Sequence, residues 1–233
     1  HLLAVAKPAG LPTMPGGGRF MDNTLWTLVR RRFPDANPLH RLGRGTSGVL
    51  LFARTPEAFA VVAKAWNRSE VRKIYRTLVI GSPLANGLGC EFAVDVPIAR
   101  IPHPVLGTIH AAAPEGGSGA GDEKGKTAHS HVRVLERRDG CTLVDVQITT
   151  GRPHQIRIHL AAVGHPLVGD PLYEAGGRPK ADSRALPGDL GYHLHSRLLG
   201  FAHPVTKEWV EISCAPPPLL RTSGEHLTRT SSP

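Results

Sequence analysis

Three short stretches hold most of the residues whose types and spacing could do chemistry. The first, His40-Arg41-Leu42-Gly43-Arg44-Gly45-Thr46-Ser47-Gly48, places three glycines, two hydroxyls and two arginines in nine residues. Exposed amides and positive charge on a backbone that a ligand can approach closely suit an anion such as a nucleic-acid phosphate. A structural glycine turn carrying solvated arginines is the competing reading. It is not a Walker loop, because no Gly-Lys-Ser/Thr follows. The second stretch, Thr150-Gly151-Arg152-Pro153-His154-Gln155-Ile156-Arg157-Ile158-His159-Leu160, runs from a turn into a helix. His154 and Arg157 fall on one side of that helix, so both can enter one pocket, and helix starts attract anions. Zinc at His154 and His159 is opposed by their five-residue spacing, which sets them about 140° apart around the axis. His193 and His195 share a strand face but have no third ligand beside them, so no metal site is expected. The third stretch, Lys73-Ile74-Tyr75-Arg76, is a tyrosine flanked by cations in a strand, either half-buried sheet surface or a base-stacking platform.

Elements must hold these stretches in place, and the apolar pattern outlines them. Leu2 to Ala6 reads as a strand that stops at Lys7-Pro8-Ala9-Gly10 and a Pro- and Gly-rich loop to Gly18. Asn23 or Thr24 can cap a helix whose apolar face is Leu25, Leu28 and Val29, ended by Pro34. Val49 to Ala53 is too short for a helix and reads as a buried strand. Thr55 caps a second helix, with Pro56 at its first position and Phe59, Val62, Ala63 and Trp66 on one face. Lys73 to Ile80 is a strand closed by Gly81-Ser82-Pro83. A Gly-, Ala- and Ser-rich stretch from Ala111 to Lys126 is expected to be a flexible surface loop. Strands over His131 to Leu135 and Leu143 to Ile148, a helix over about His154 to Val163, and strands over Leu194 to Phe201 and Trp209 to Ser213 complete the outline. Strands beside strands with few helices predict an α+β domain with a mainly antiparallel sheet.

Composition narrows the class of partner. The 233 residues carry 28 Lys+Arg against 19 Asp+Glu, a formal charge of +9. Arginine outnumbers lysine three to one, and its planar fork suits bidentate phosphate contacts and stacking on bases. Nucleic acid is therefore the first partner to consider, against the alternative that a genome rich in G and C favours arginine codons. Apolar runs such as Leu2 to Ala6 and Gly48 to Ala53 fall far short of the roughly 20 residues that span a bilayer, so no membrane partner is expected. Cys90, Cys141 and Cys214 are scattered with no C-x-x-C pair, which opposes a disulfide framework and a cysteine zinc site. They point to a reducing compartment, cytoplasmic or organellar, rather than secretion. The start at His1, without a basic-then-apolar leader, suits an excised or partial chain.

In order and wording the three blocks resemble the RluA family of RNA pseudouridine synthases. That family's runs are H-R-L-D-x-x-T-S-G, then K-x-Y-x-A-x-V-x-G, then T-G-R-x-H-Q-I-R-x-H-L-x-x-x-G-H-P-I-x-G-D-x-x-Y. The last is nearly complete here, from Thr150 through Gly164-His165-Pro166-Leu167-Val168-Gly169-Asp170 to Tyr173. Lys7-Pro8-Ala9-Gly10-Leu11 is similar to the family's opening N-K-P-x-G-L, and Leu194-His195 with Phe201-Ala202-His203-Pro204 to its closing L-H-x-x-x-L-x-F-x-H-P. The S4 module that many relatives carry is not among these residues.

The resemblance implies one pseudouridine-synthase-like catalytic domain over 1–233, with a mainly antiparallel mixed sheet flanked by helices and loops, and a monomer is expected. It implies isomerisation of uridine within tRNA or rRNA, without cofactor or metal: the glycosidic bond breaks, the uracil turns, and C5 joins C1′. The base must leave the stack, which phosphate contacts and a stacking side chain must offset. By resemblance Tyr75 stacks on the flipped base, Arg41 fills the vacated space, and Arg157 with Leu160 floors the catalytic pocket. Arg44, Arg152 and His154 are the further expected RNA contacts.

One departure falls on the residue that the chemistry most needs. In relatives the arginine at position 157 pairs with the aspartate of H-R-L-D, an arrangement that keeps a carboxylate ionised and lowers its pKa by ~1–3 units. Here that aspartate is Gly43, which cannot be nucleophile, base or ion-pair partner. A buried guanidinium without an anion is costly, so another partner is expected for Arg157. Asp170 reads as structural, Asp145 as facing the other side of its sheet, and Asp22 lies upstream. Asp35, five residues before His40, is the expected substitute carboxylate. Failing that, an RNA phosphate would pair with Arg157, and the chain would bind and flip uridine without isomerising it.

Overall fold

The computed structural model describes residues 1–16, 23–87, 89–114 and 124–227. They divide into two compact units, His1–Tyr75 with Leu194–Pro216, and Arg76–His193 with Pro217–Pro233. In the first unit, β1 (Leu2–Lys7) runs antiparallel to β3 (Thr46–Ala53), in a register from Leu2 opposite Ala53 to Lys7 opposite Gly48. β2 (Asn37–Pro38) also pairs antiparallel with β3. β12 (Leu194–Ala202) lies parallel to β3 through residues 194–196, and β13 (Trp209–Ser213) runs antiparallel to β12. The first residues of β4 (Arg72–Ile80) follow β12 in the strand order. The run Val49 to Ala53 is fully buried, as expected of a strand covered on both faces. Val49, Leu51, Val62, Val71, Leu199 and Phe201 form this unit's core.

Both expected helices of the first unit form with their expected caps. The hydroxyl of Thr24 accepts from the amide of Thr27 to start α1 (Leu25–Arg32), and that of Thr55 accepts from the amide of Ala58 to start α2 (Pro56–Asn67). Their apolar faces are narrower than the periodicity predicts. Leu25 and Val29 are buried on α1, and Ala58 and Val62 on α2, whereas Leu28 and Phe59 are each 40% exposed. Helices of 8 and 12 residues reach their sheet with only one or two side chains per turn, which leaves the edge of each stripe in solvent.

In the second unit the strand order is β4, β9 (Cys141–Ile148), β8 (Ser130–Arg138), β5 (Glu91–Val94), with β8 antiparallel to both β9 and β5. β6 (Ile98–His103) and β7 (Gly107–Ala112) form a separate antiparallel hairpin, and β10 (Tyr173–Glu174) pairs with β11 (Arg178–Pro179). α3 (Gln155–Ala162) is buried from Gln155 to Ala161, and α4 (Ser223–Leu227) closes the described chain. Ile98, Ile109, Ile158, Leu172 and Tyr173 pack in one core and Leu78, Leu143 and Leu220 in another. Element types thus follow the α+β expectation with a mixed, mainly antiparallel sheet. The departures are β5 to β7, which the apolar pattern does not outline, and the stretch read as a loop from 111 to 126. Ala111 and Ala112 are buried strand residues at the end of β7, Lys126 bridges Ile98, and 115–123 lie outside the described residues.

The parallel contact between β3 and β12 depends on one glycine. Gly48 has φ +112°, and a Cβ there would stand 2.2 Å from the carbonyl oxygen of Ser196. Both the strained backbone and the backbone-to-backbone overlap penalise any side chain. Gly48→Ala is expected to lower unfolding free energy by about 3 kcal/mol, read from urea denaturation.

Candidate functional site

In the second unit the candidate residues gather around Arg157. Its Nε and Nη2 donate to Asp170 Oδ2 and Oδ1, each at 2.7 Å, so the pair is bidentate and almost fully buried. Nη1 donates to the carbonyl of Pro187 at 2.7 Å and to Nδ1 of His154 at 3.3 Å. A guanidinium only donates, so Nδ1 accepts and the imidazole proton sits on Nε2. The guanidinium carbon also lies 4.2 Å from the ring centre of Tyr192 and 4.9 Å from that of Tyr173, inside cation–π range. Asp170 Oδ1 accepts in addition from the amides of Leu172 and Tyr173. The cost of burying two charges is thus offset by hydrogen bonds on almost every lone pair and proton. Burial works against the charge of Arg157, but bonding to Asp170 prevails and raises its pKa. Burial also pushes the Tyr173 hydroxyl above its usual range, so that ring is a neutral phenol.

His154 and Arg157 are therefore brought together, as the helix geometry predicts, although His154 precedes α3 as its N-cap. Its φ of 57° is a left-handed value that costs free energy outside glycine, a strain that clusters at working sites. Gln155 ties the preceding turn down. Its Oε1 accepts from the Thr150 hydroxyl and the Arg152 amide, and its Nε2 donates to the carbonyl of His129. Arg152, held also by a bond from Nε to the Thr127 carbonyl, lines a groove of roughly 540 Å³ with Arg100, His110 and Lys126. Among the described residues of that lining there is no carboxylate, and its three cations favour an anion. Leu160 is fully buried in α3.

In the first unit the glycine loop is anchored at several points. The buried Lys7 ammonium donates to the carbonyls of Pro8, Leu11 and Arg44, and burial pulls its pKa down to about 8. Thr13 exchanges hydrogen bonds with the carbonyl and amide of Leu42. The His40 ring stacks on Trp66 at 4.5 Å, and its Nε2 accepts from the amide of Leu51. Burial, helped by the nearby charge of Lys73, lowers the His40 pKa to about 3. Ser47 donates to Nδ1 of His195, whose Nε2 donates to the carbonyl of Cys214. Gly43 and Arg41 are exposed and Arg44 is half-buried at the tip so anchored. The Tyr75 ring is mostly covered, and burial raises its hydroxyl pKa to about 12.

The acids stand differently from the sequence expectation. Asp170, read as structural, is the carboxylate on Arg157. Asp35 is an exposed residue of the first unit that lines a separate cleft, and Asp145 pairs with Arg76 at 2.8 Å. Asp22 lies outside the described residues. Tyr192 and the Pro187 carbonyl were missed entirely, since they follow Arg157 by 30 or more residues in a stretch without regular structure and no local pattern marks them. Among the described residues no group of three or more His, Cys, Asp or Glu side chains is arranged to hold a metal ion.

Residues 1–162 match the family described as RNA pseudouridylate synthase. An RNA pseudouridine synthase of Synechocystis is 42% identical over 95% of this chain and 72% of its own length. The ribosomal large subunit pseudouridine synthase D of Nitrosomonas europaea is 35% identical over 88% of this chain and 56% of its own. Among solved structures, human RNA pseudouridylate synthase domain containing 1 superposes with a TM-score of 0.68 at 26% identity, covering 100% of this chain and 92% of that one.

Two outcomes test this geometry. Asp170→Asn leaves a buried guanidinium without its anion and is expected to cost about 3–5 kcal/mol in urea unfolding, with loss of the near-ultraviolet signal of Tyr173 and Tyr192. His40 binds a proton in the unfolded chain below pH 6.5 but in the fold only near 3, so its contribution to stability is lost as pH falls through that window. The urea midpoint is expected to drop between pH 7.5 and 5 by more in the wild type than in His40→Gln. Equal drops would remove His40 as the cause.

Proposed function

The chain belongs to the RNA pseudouridylate synthase family, a family of isomerases, and on that premise we propose that it flips a uridine out of structured tRNA or rRNA and rejoins it through C5. The observation that carries this reading is the built surroundings of Arg157, where a buried bidentate pair, two aromatic rings and a strained His154 hold one rigid corner beside a basic groove. Rigid walls of this kind can hold an extruded base in a fixed orientation while its glycosidic bond is broken. In this reading Tyr75 stacks on the extruded uracil, Arg41 takes its place in the RNA, and Arg157 and Leu160 floor the pocket. Arg44, Arg152 and His154 contact the RNA backbone. The ribosomal substrate in the name of the Nitrosomonas relative supports rRNA as the first RNA to try.

Gly43 favours a second reading, in which the same chain binds and extrudes uridine but leaves it unchanged. Both Asp170 oxygens are engaged, so that carboxylate is not free to replace the one missing at 43. Release of tritium from 5-labelled uridine separates the two, because C5 exchanges its hydrogen for the bond to C1′. Release from rRNA or tRNA by the wild type, cut about tenfold to a hundredfold in Tyr75→Ala, is the expected outcome. No release by the wild type, with release by Gly43→Asp, would establish the second reading instead.

A further inference from the structure

A cleft of roughly 880 Å³ opens in the first unit among α1, β2 and the start of α2, and its lining includes no residue of the 40–48 loop. Its walls include Trp26, Met14 and Phe59, the last two 39% and 40% exposed. Two guanidiniums stand at it on aromatic supports: Arg30 lies 5.0 Å from the ring centre of Trp26, and Arg54 lies 4.8 Å from that of Phe33. Asp35 and Glu57 line the same cleft, yet neither arginine forms an ion pair with a described residue. Arg31 and Arg32 extend the positive charge along the last turn of α1.

Favourable charge at a helix C-terminus accounts for the arginines of α1. It does not account for Arg54, which is on no helix, or for large apolar side chains left open beside them. The three chemistries together select a ligand. Guanidiniums held flat on rings present their donors to phosphate, apolar walls suit the face of a heterocycle, and a free carboxylate suits N–H donors on a base edge. A bare polyanion has no use for the walls or for Asp35, and a paired duplex offers no face to stack.

We propose that this cleft binds an unpaired nucleotide of the substrate RNA, other than the uridine that is modified. Arg30 and Arg54 take the flanking phosphates, the base lies against Phe59 and Met14, and Asp35 accepts from its edge. Asp35, the expected stand-in for the missing catalytic acid, thereby serves binding. The choice of RNA as the source of the nucleotide rests on the proposed function.

Anisotropy titrations with a fluorescein-labelled 12-nucleotide unpaired RNA and a 12-base-pair RNA duplex, each over a range of KCl, test the cleft. Arg30→Ala/Arg54→Ala is expected to weaken the unpaired RNA at least tenfold and to lower the salt slope by about 1.4, two phosphate contacts at ~0.7 each. Phe59→Ala is expected to weaken it at least fivefold with the slope unchanged, because a stacking contact releases no counterion. Binding of the duplex should change less than twofold. All three positions are exposed, and thermal unfolding checks the variants; Arg54→Gln alone, with half the slope change, serves should the double variant unfold. A loss under twofold for unpaired RNA, an equal loss for the duplex, or equal competition by poly-aspartate would overturn the proposal. Tritium release separates this from the isomerase reading. The variant pattern without wild-type turnover removes the isomerase and keeps the cleft, while turnover without the pattern removes the cleft alone.

Discussion

A guanidinium inside a protein has to be given an anion, and the second unit is organised around meeting that demand at Arg157. The charge comes from Asp170, thirteen residues on, so the segment between them must fold back on α3. The amides of Leu172 and Tyr173 bond to the same carboxylate, which sets the chain direction into β10 and brings the Tyr173 ring against Arg157. The Pro187 carbonyl and the Tyr192 ring then fix the long irregular passage before β12. Removing either charge would therefore do more than delete one contact. It would leave its partner buried and uncompensated and release three segments that share it.

The first unit solves a different problem, that of holding a glycine-rich loop still without giving it side-chain bulk. Backbone carbonyls do most of this. The ammonium of Lys7 gathers the carbonyls of two turns, Thr13 closes on Leu42, and His40, kept neutral by burial, caps the amide of Leu51 at the far end. The anchors grip the backbone of Leu42 and Arg44 while Arg41 and Gly43 stay exposed, so the tip is steady yet open. Such a design suits a loop that works by approaching a ligand closely.

Local rules read well in the amino-acid sequence and long-range partners read poorly. Thr24 and Thr55 announce their helices because capping is decided within four residues, and Val49 to Ala53 reads as a buried strand because burial on both faces needs an unbroken apolar run. β5, β6 and β7 escape notice because four to six residues with Pro, His and Gly among them show no clean alternation. At the site, His154 beside Arg157 follows from helical spacing, but the choice between Asp35 and Asp170 does not. Sequence nearness to His40 favours Asp35, whereas the winning term is the backbone amides that orient Asp170, and these exist only once the chain has folded.

That outcome bears on what Gly43 costs the protein. Were a carboxylate at position 43 the only anion for Arg157, its loss would strand a buried charge and threaten the fold. With Asp170 bonded to both Nε and Nη2, the guanidinium is neutralised within its own unit, and glycine at 43 leaves no buried debt. The exposed loop tip tolerates it as well, since the Gly43 carbonyl still accepts the Thr46 amide that closes the turn. Stability is thus independent of an acid at position 43: the buried pair of Arg157 and Asp170 stands whether or not that position carries one. A substitution of Gly43 therefore has no buried charge to compensate and no fold to repair.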